Sequence, residues 1–194
     1  MHIEALVVGR LEANCYILVC PATSEAVVVD PGGDADLINA KIAENGWQVK
    51  YIINTHGHLD HTGANAEVKA ATGAPILMHA ADAPRRPAPG RAAADRALAD
   101  GDSVNWGKLS LRVIHTPGHT PGGICLLAGD KLFAGDTLFA GSVGRSDFPG
   151  GSHHDLITSI KTKLLVLPDA TEVYPGHGPS TTIGDEKRYN PFLR

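Results

Sequence analysis

The stretch Tyr51-Ile52-Ile53-Asn54-Thr55-His56-Gly57-His58-Leu59-Asp60-His61-Thr62-Gly63 decides how this chain is read. Its first three residues have the character of a buried β-strand end. His56, His58, Asp60 and His61 follow at once, four metal-capable side chains packed into six positions. In an extended or tightly looped segment, residues two apart project to the same side, so His56 and His58 address one point. Asp60 and His61 turn onto the next helix and address a second point nearby. Imidazole and carboxylate together suit zinc, iron or manganese, whereas a thiolate site would need cysteines that this stretch lacks. The bland alternative is a polar loop with chance histidines. A single motif match would leave that alternative standing; a four-donor cluster directly after a strand weighs against it.

Around this stretch, 194 residues are expected to form a single domain, 1–194, with a core large enough to need neither disulfides nor a partner. Apolar content of 43% and charged content of 20% are ordinary for a globular protein. A net charge of -4 and a pI near 6.2, without a basic stripe, exclude nucleic acid as an expected partner. Ten histidines are the one compositional excess, and they point toward metal. Cys15, Cys20 and Cys125 show no CxxC spacing and lie in apolar, strand-like runs, which implies a reducing compartment and buried, inert thiols. The start, Met1-His2-Ile3-Glu4-Ala5, lacks the features of a secretory signal, and no apolar run is long enough to span a bilayer. The expectation is a cytoplasmic protein that does not engage membranes; the sequence sets no oligomeric state.

Taken in order, residues 2–9, 15–20 and 25–29 read as Val- and Ile-rich strands between turn formers. Asp34 is placed to cap a helix over 35–44 that stops at Asn45-Gly46. A strand over 49–53 leads into the histidine loop, followed by a helix over 64–71 and a strand over 75–78. Residues 82–100 are poor in core formers and read as a loop plus a short helix flanking a cleft. Strands over 102–106, 109–115, 123–128 and 131–134 form an antiparallel meander with Gly129-Asp130 as a hairpin turn. Glycine-rich 135–151 reads as a loop, 152–165 as a helix and 171–174 as a last strand, with a tight turn and a short final helix beyond it. Alternating strands and helices indicate a layered α/β domain.

Three further residues share the placement of the first cluster, just past a strand in a glycine-containing turn: His119, Asp136 and His177. Loops at strand ends are where layered α/β sheets collect functional groups. The array His-x-His-x-Asp-His at 56–61, followed by His119, Asp136 and His177, resembles the metallo-β-lactamase superfamily over nearly the whole chain. Asp30, at its own strand end, matches that superfamily's first motif. Within it, Gly135-Asp136-Thr137-Leu138-Phe139, Gly144-Arg145-Ser146-Asp147-Phe148-Pro149-Gly150-Gly151 and residues 174–183 are similar to the short bacterial hydroxyacylglutathione hydrolases, the glyoxalase II-like group. The resemblance implies a four-layer αββα sandwich with two divalent metal ions at one edge of the sheets. Zinc is the first choice, with iron or manganese as alternatives. His56, His58 and His119 would hold one ion, Asp60, His61 and His177 the other, and Asp136 would bridge them. Asp30 would fix the histidine loop by hydrogen bonds. The remaining histidines are read as structural (His115), as a satisfied polar group (His79) and as surface or helix-cap residues (His2, His153, His154).

The implied activity is hydrolysis of a small-molecule thioester such as S-lactoylglutathione by a metal-bridging hydroxide, with Asp60 aiming it and Asp136 between the ions. The leaving thiolate has a parent pKa of roughly 8.5, so no dedicated general acid is required. Arg145 stands where the long glyoxalase II enzymes carry a lysine, and it reads either as a partner for a substrate carboxylate or as a surface arginine. The C-terminal helical domain that supplies further glutathione contacts in those enzymes is not expected in these 194 residues. True β-lactamases replace some of these ligands, so antibiotic hydrolysis is not expected. The persulfide dioxygenases are the alternative: they share the fold and use the equivalents of His56, His119 and Asp136 for a single iron. The turn Gly176-His177-Gly178-Pro179-Ser180 is closer to the hydrolases.

Overall fold

The computed structural model describes residues 1–83 and 92–194. Strands β1 (His2–Val8), β2 (Ala13–Val19) and β3 (Glu25–Val29) open the chain, followed by helix α1 (Ala35–Glu44) and β4 (Gln48–Ile53). Helices α2 (Leu59–Thr62) and α3 (Asn65–Thr72) precede β5 (Ile76–His79) and β6 (Arg96–Leu98). The second half runs β7 (Ser103–Trp106), β8 (Leu109–His115), β9 (Ile124–Ala128) and β10 (Lys131–Gly135), then the short pair β11 (Leu138–Phe139) and β12 (Ser142–Val143). Helix α4 (His153–Ser159), a π-helical turn (Ile160–Leu164), β13 (Glu172–Pro175), β14 (Thr181–Thr182) and α5 (Ile183–Tyr189) complete it.

Two six-stranded sheets result, ordered β1-β2-β3-β4-β5-β6 and β14-β13-β10-β9-β8-β7. Strands such as β3, with Ala26, Val27, Val28 and Val29 all buried, are apolar on both faces, the pattern of a strand covered on both sides. The alternation settles which side each faces. Val27, Val29, Ile53 and Leu77 meet Leu111, Val113, Leu126 and Phe133 between the sheets. Val28, Ile52 and Ile76 turn outward against Ile38 and Ile42 of α1 and Val68 of α3. On the far side Cys125, Leu132 and Ala134 pack on Leu156 of α4, Ile160 and Leu164 of the π turn, and Ile183 of α5. The layers are therefore α, β, β, α, as the resemblance implies. Each fully buried Val, Leu, Ile or Phe is worth roughly 1.5–3 kcal/mol, so the three clusters together fix the layering.

Several local expectations need correction. Asp34 stands at the N-cap of α1 but in a left-handed conformation with no capping bond, because its carboxylate accepts a hydrogen bond from the Gly9 amide at 2.8 Å. Of the segment 82–100, residues 96–98 form edge strand β6 beside β5, where the sequence reading has a loop and short helix; residues 84–91 of it lie outside the described residues. The glycine-rich loop carries the β11–β12 ribbon. The helix expected over 152–165 is α-helical only to Ser159 and then widens into the π turn. All three cysteines are free and buried. No helix among the described residues is long and apolar enough to cross a membrane.

Strands β3, β4 and β5 are mutually parallel, and β10 is parallel to β13. Strand β8, two antiparallel steps from β10, shares its direction. The loops that follow these six strands carry Asp30, the 56–61 motif, Asp82, His119, Asp136 and His177. They collect at the C-terminal edge of the sheets.

Candidate metal centre

Two groups of donors form at this edge. One atom each from His56, His58 and His119 lie within 4.8 Å of one another, and so do atoms from Asp60, His61 and His177. Within the first group His119 Nε2 is 2.9 Å from His58 Nδ1. Within the second, His61 Nε2 lies 3.3 Å from His177 Nε2, and Asp60 Oδ2 lies 3.3 Å from the same His177 nitrogen. Asp136 stands between the groups. Its Oδ1 is 3.4 Å from His61 Nε2, and its Oδ2 is 3.5 Å from His119 Nε2 and 3.8 Å from His177 Nε2.

On His119 and His61 the outward-facing ring nitrogen is tied back, which leaves Nε2 aimed inward. His119 Nδ1 donates to the Arg145 carbonyl at 2.7 Å. His61 Nδ1 bonds Asp30 Oδ2 at 3.0 Å. Asp30 also accepts from the Thr55 amide at 2.7 Å and the Thr55 hydroxyl at 2.6 Å, so one buried carboxylate fixes both ends of the histidine loop. Asp30, His56 and His61 also make a compact trio of potential donors. With both its oxygens engaged, however, Asp30 acts as a hydrogen-bonding hub.

The electrostatics fit a cation. Burial, reinforced by neighbouring His61 and His119, pushes His56 well below the usual imidazole range; burial and His119 lower His58. Both are thus kept neutral, the form that ligates. Burial also opposes charge on His61, but the Asp30 hydrogen bond and the charges of Asp30, Asp136 and Asp60 outweigh it and raise His61 to about 9. The hydrogen bond from His177 holds Asp60 down at about 2 and raises His177 in turn. Three carboxylates thus surround His61, and their proximity is what favours its charged form. Beside it, the buried atoms His56 Nε2 and Asp136 Oδ1 have no hydrogen-bond partner. Leaving such atoms unsatisfied costs about 1–3 kcal/mol each, and a bound cation answers both.

A cavity of about 700 Å³ opens over this floor. Its walls are apolar, made by Leu11, Leu59, Phe139, Phe148 and Pro149. Arg145 reaches its lip but is already engaged. It forms two 2.8 Å hydrogen bonds with Asp147 and lies 3.9 Å over the Phe148 ring. His79 and His115 stack on each other at 4.2 Å, away from the donors, while His2, His153 and His154 are exposed.

Two supports escape the sequence reading. Asn14 of β2 donates to the Pro175 carbonyl at 3.0 Å and the Gly178 carbonyl at 2.9 Å, holding the His177 turn from the other sheet; Tyr16 adds a 2.7 Å bond to Pro175. Asn14→Ala is expected to destabilise the protein by about 1–2 kcal/mol, since two carbonyls lose a donor and Tyr16 still serves one of them. A urea midpoint equal to that of the native chain would contradict this. Asp82 is the second support. It too is a polar residue just past a strand, but its turn lacks the glycine that marked the other positions.

The chain matches the metallo-beta-lactamase superfamily over residues 8–177. It belongs to that superfamily. Hydroxyacylglutathione hydrolase GloC of Haemophilus influenzae is 37% identical, over 100% of this chain and 98% of that one. Among solved structures, BLEG-1 B3 metallo-beta-lactamase superposes with a TM-score of 0.92 at 36% identity, covering 99% of both chains. ETHE1 from Myxococcus xanthus gives 0.87 at 31%, over 98% of this chain and 84% of that one. TTHA1623, solved in a di-iron-bound form, gives 0.84 at 36%, over 98% and 100%. This superfamily member is thus similar to proteins of more than one activity, and the choice among them falls to the site.

Proposed function

We propose that the protein is a two-metal hydrolase of thioesters, with a glutathione conjugate such as S-lactoylglutathione as the substrate to test first. The observation that carries this reading is the position of Asp136, whose two oxygens face different donor groups at 3.4 and 3.5 Å. A carboxylate so placed suits a pair of ions better than one. His56, His58 and His119 would hold the first, Asp60, His61 and His177 the second, with Asp136 bridging and Asp30 fixing the loop from behind. Zinc suits the imidazole and carboxylate set, and iron or manganese suit it too.

What such a pair supplies when bound is Lewis acidity: a water with a pKa near about 7 and a polarised carbonyl oxygen. The chain does the rest. Asp60, held ionised at neutral pH, is an acceptor that can orient the attacking water's proton. Leu59, Phe139 and Phe148 line the cleft and offer an apolar surface to the acyl portion. A thiolate leaves without a general acid, given a parent pKa of roughly 8.5. Arg145 is a candidate for the substrate's carboxylate, by exchanging Asp147 for it; both side chains are well exposed, so their pairing is weak and exchange is easy.

A second reading uses a subset of the same residues. His56, His119 and Asp136 make a two-histidine, one-carboxylate triad suited to a single iron, with Asp136 Oδ2 3.5 Å from His119 Nε2. Persulfide oxidation would then replace hydrolysis. Metal counting with paired assays separates the two. Two metals per chain, thioester hydrolysis lost on chelation and restored by zinc, and no oxygen uptake with glutathione persulfide is the expected outcome. One iron with oxygen uptake would overturn it in favour of the second reading. A β-lactam belongs in the same panel, expected to turn over far more slowly than the thioester.

A further inference from the structure

Asp82 lies on the turn after β5, its amide bonded to the His79 carbonyl at 3.0 Å. Its carboxylate accepts three hydrogen bonds. Oδ2 takes the Gly57 amide at 2.9 Å and the Thr120 hydroxyl at 2.6 Å, and Oδ1 takes the Gly122 amide at 2.6 Å. Gly57 separates His56 from His58, and Thr120 follows His119. One side chain therefore ties together the two loops, one from each sheet, that present the first donor group. The fit is close on both sides. A Cβ at Gly57 would come 2.9 Å from the Asp82 carbonyl oxygen, and one at Gly122 would come 2.6 Å from Oδ1. Behind the carboxylate the stacked rings of His79 and His115, 9° from parallel, pack the end of β5 against the end of β8. His115 Nε2 also bonds the Pro121 carbonyl at 2.9 Å, so the base of the clamp is itself anchored.

The second donor group is held by other means: Asp30 on His61, and Asn14 and Tyr16 on the His177 turn. The three hydrogen bonds of the Asp82 carboxylate reach none of those residues. A metal site tolerates only a few tenths of an ångström of error in ligand placement, so loops from separate sheets need a fixed spacing before an ion arrives.

We infer that Asp82 is a positioning residue for the His56–His58–His119 ion alone, setting the distance between the two loops that hold it. The inference rests on the two-metal reading above. Its signature is selectivity between two ions about which a general structural role would make no distinction.

The test is Asp82→Asn, which keeps the shape but offers one acceptor oxygen and an NH2 to three donors, so one donor must face another. Loaded native and variant proteins are challenged with graded chelator, and the metals retained per chain are counted. The expected result is that the variant gives up one ion at a chelator concentration about ten- to a hundredfold lower than the native protein, while the other is held as before. In cobalt-loaded protein, the absorption of the remaining ion should match that of His119→Ala and differ from that of His177→Ala. Thr120→Val removes one of the three bonds without disturbing the backbone. It should shift the same ion in the same direction by a smaller factor, and it decides the matter if Asp82→Asn does not fold. Two ions held as tightly as in the native protein, or both lost in parallel, would overturn the inference. A native protein that binds fewer than two ions overturns the two-metal reading instead, and the inference falls with it.

Discussion

Asp136→Ala should reduce thioester hydrolysis at least about 10³-fold, equivalent to some 4 kcal/mol of barrier at about 1.36 kcal/mol per tenfold. Every other proposed donor belongs to one group; Asp136 alone faces both. On the two-metal reading, its removal would take a ligand from each ion and the link between them. The backbone is packed closely around it. A Cβ at Gly176 would come 2.2 Å from Asp136 Oδ1, and one at Gly144 would come 1.8 Å from the Asp136 carbonyl oxygen. His177→Ala completes the experiment. On the two-metal reading it removes a ligand of the second ion and most of the hydrolysis, whereas a single-iron oxygenase built on His56, His119 and Asp136 would tolerate it. Steady-state kinetics with metal counting on both variants gives the answer, and equal tolerance of the two substitutions would contradict the assignment.

Asp30→Ala should cause the largest loss of stability, about 3–5 kcal/mol, the range for breaking a buried ionic pair from one side. Asp30 is 1% exposed and His61 is fully buried. The carboxylate takes three hydrogen bonds, and alanine would leave the Thr55 amide, the Thr55 hydroxyl and His61 Nδ1 without an acceptor. Asp30 also sits at φ 52°, a left-handed conformation that aspartate tolerates better than alanine. Denaturant unfolding of the chelated protein measures the effect without any contribution from bound metal. A change below about 1 kcal/mol would show that the histidine loop is held elsewhere.

The layering was legible in the sequence because its signals are local. Apolar runs such as Val27 to Val29 and Ile52 to Ile53 announce strands, and the resemblance carried by residues 56–61, 119, 136 and 177 supplied the order of layers. What escaped depends on distant partners. Edge strand β6 is three residues long and exists through pairing with β5, which no pattern within Arg96–Leu98 reveals. Nothing in Ile160–Leu164 marks where α4 widens into a π turn. The candidate site divides in the same way. Histidines spaced two and five apart are visible at a glance. Asp82 works through backbone amides 25 and 40 positions away, and Asn14 through carbonyls more than 160 positions away. Arg145 was likewise read from its position alone, and its pairing with Asp147, two residues on, is a contact that position did not announce.

The donors are drawn from both sheets, residues 56–61 from the first and His119, Asp136 and His177 from the second. On the proposed reading an ion is therefore a rivet through the seam between the chain's two halves. Its gain or loss would govern lifetime as well as turnover. A molecule starved of metal would be the first to gape at that seam and the first to be cut by a protease.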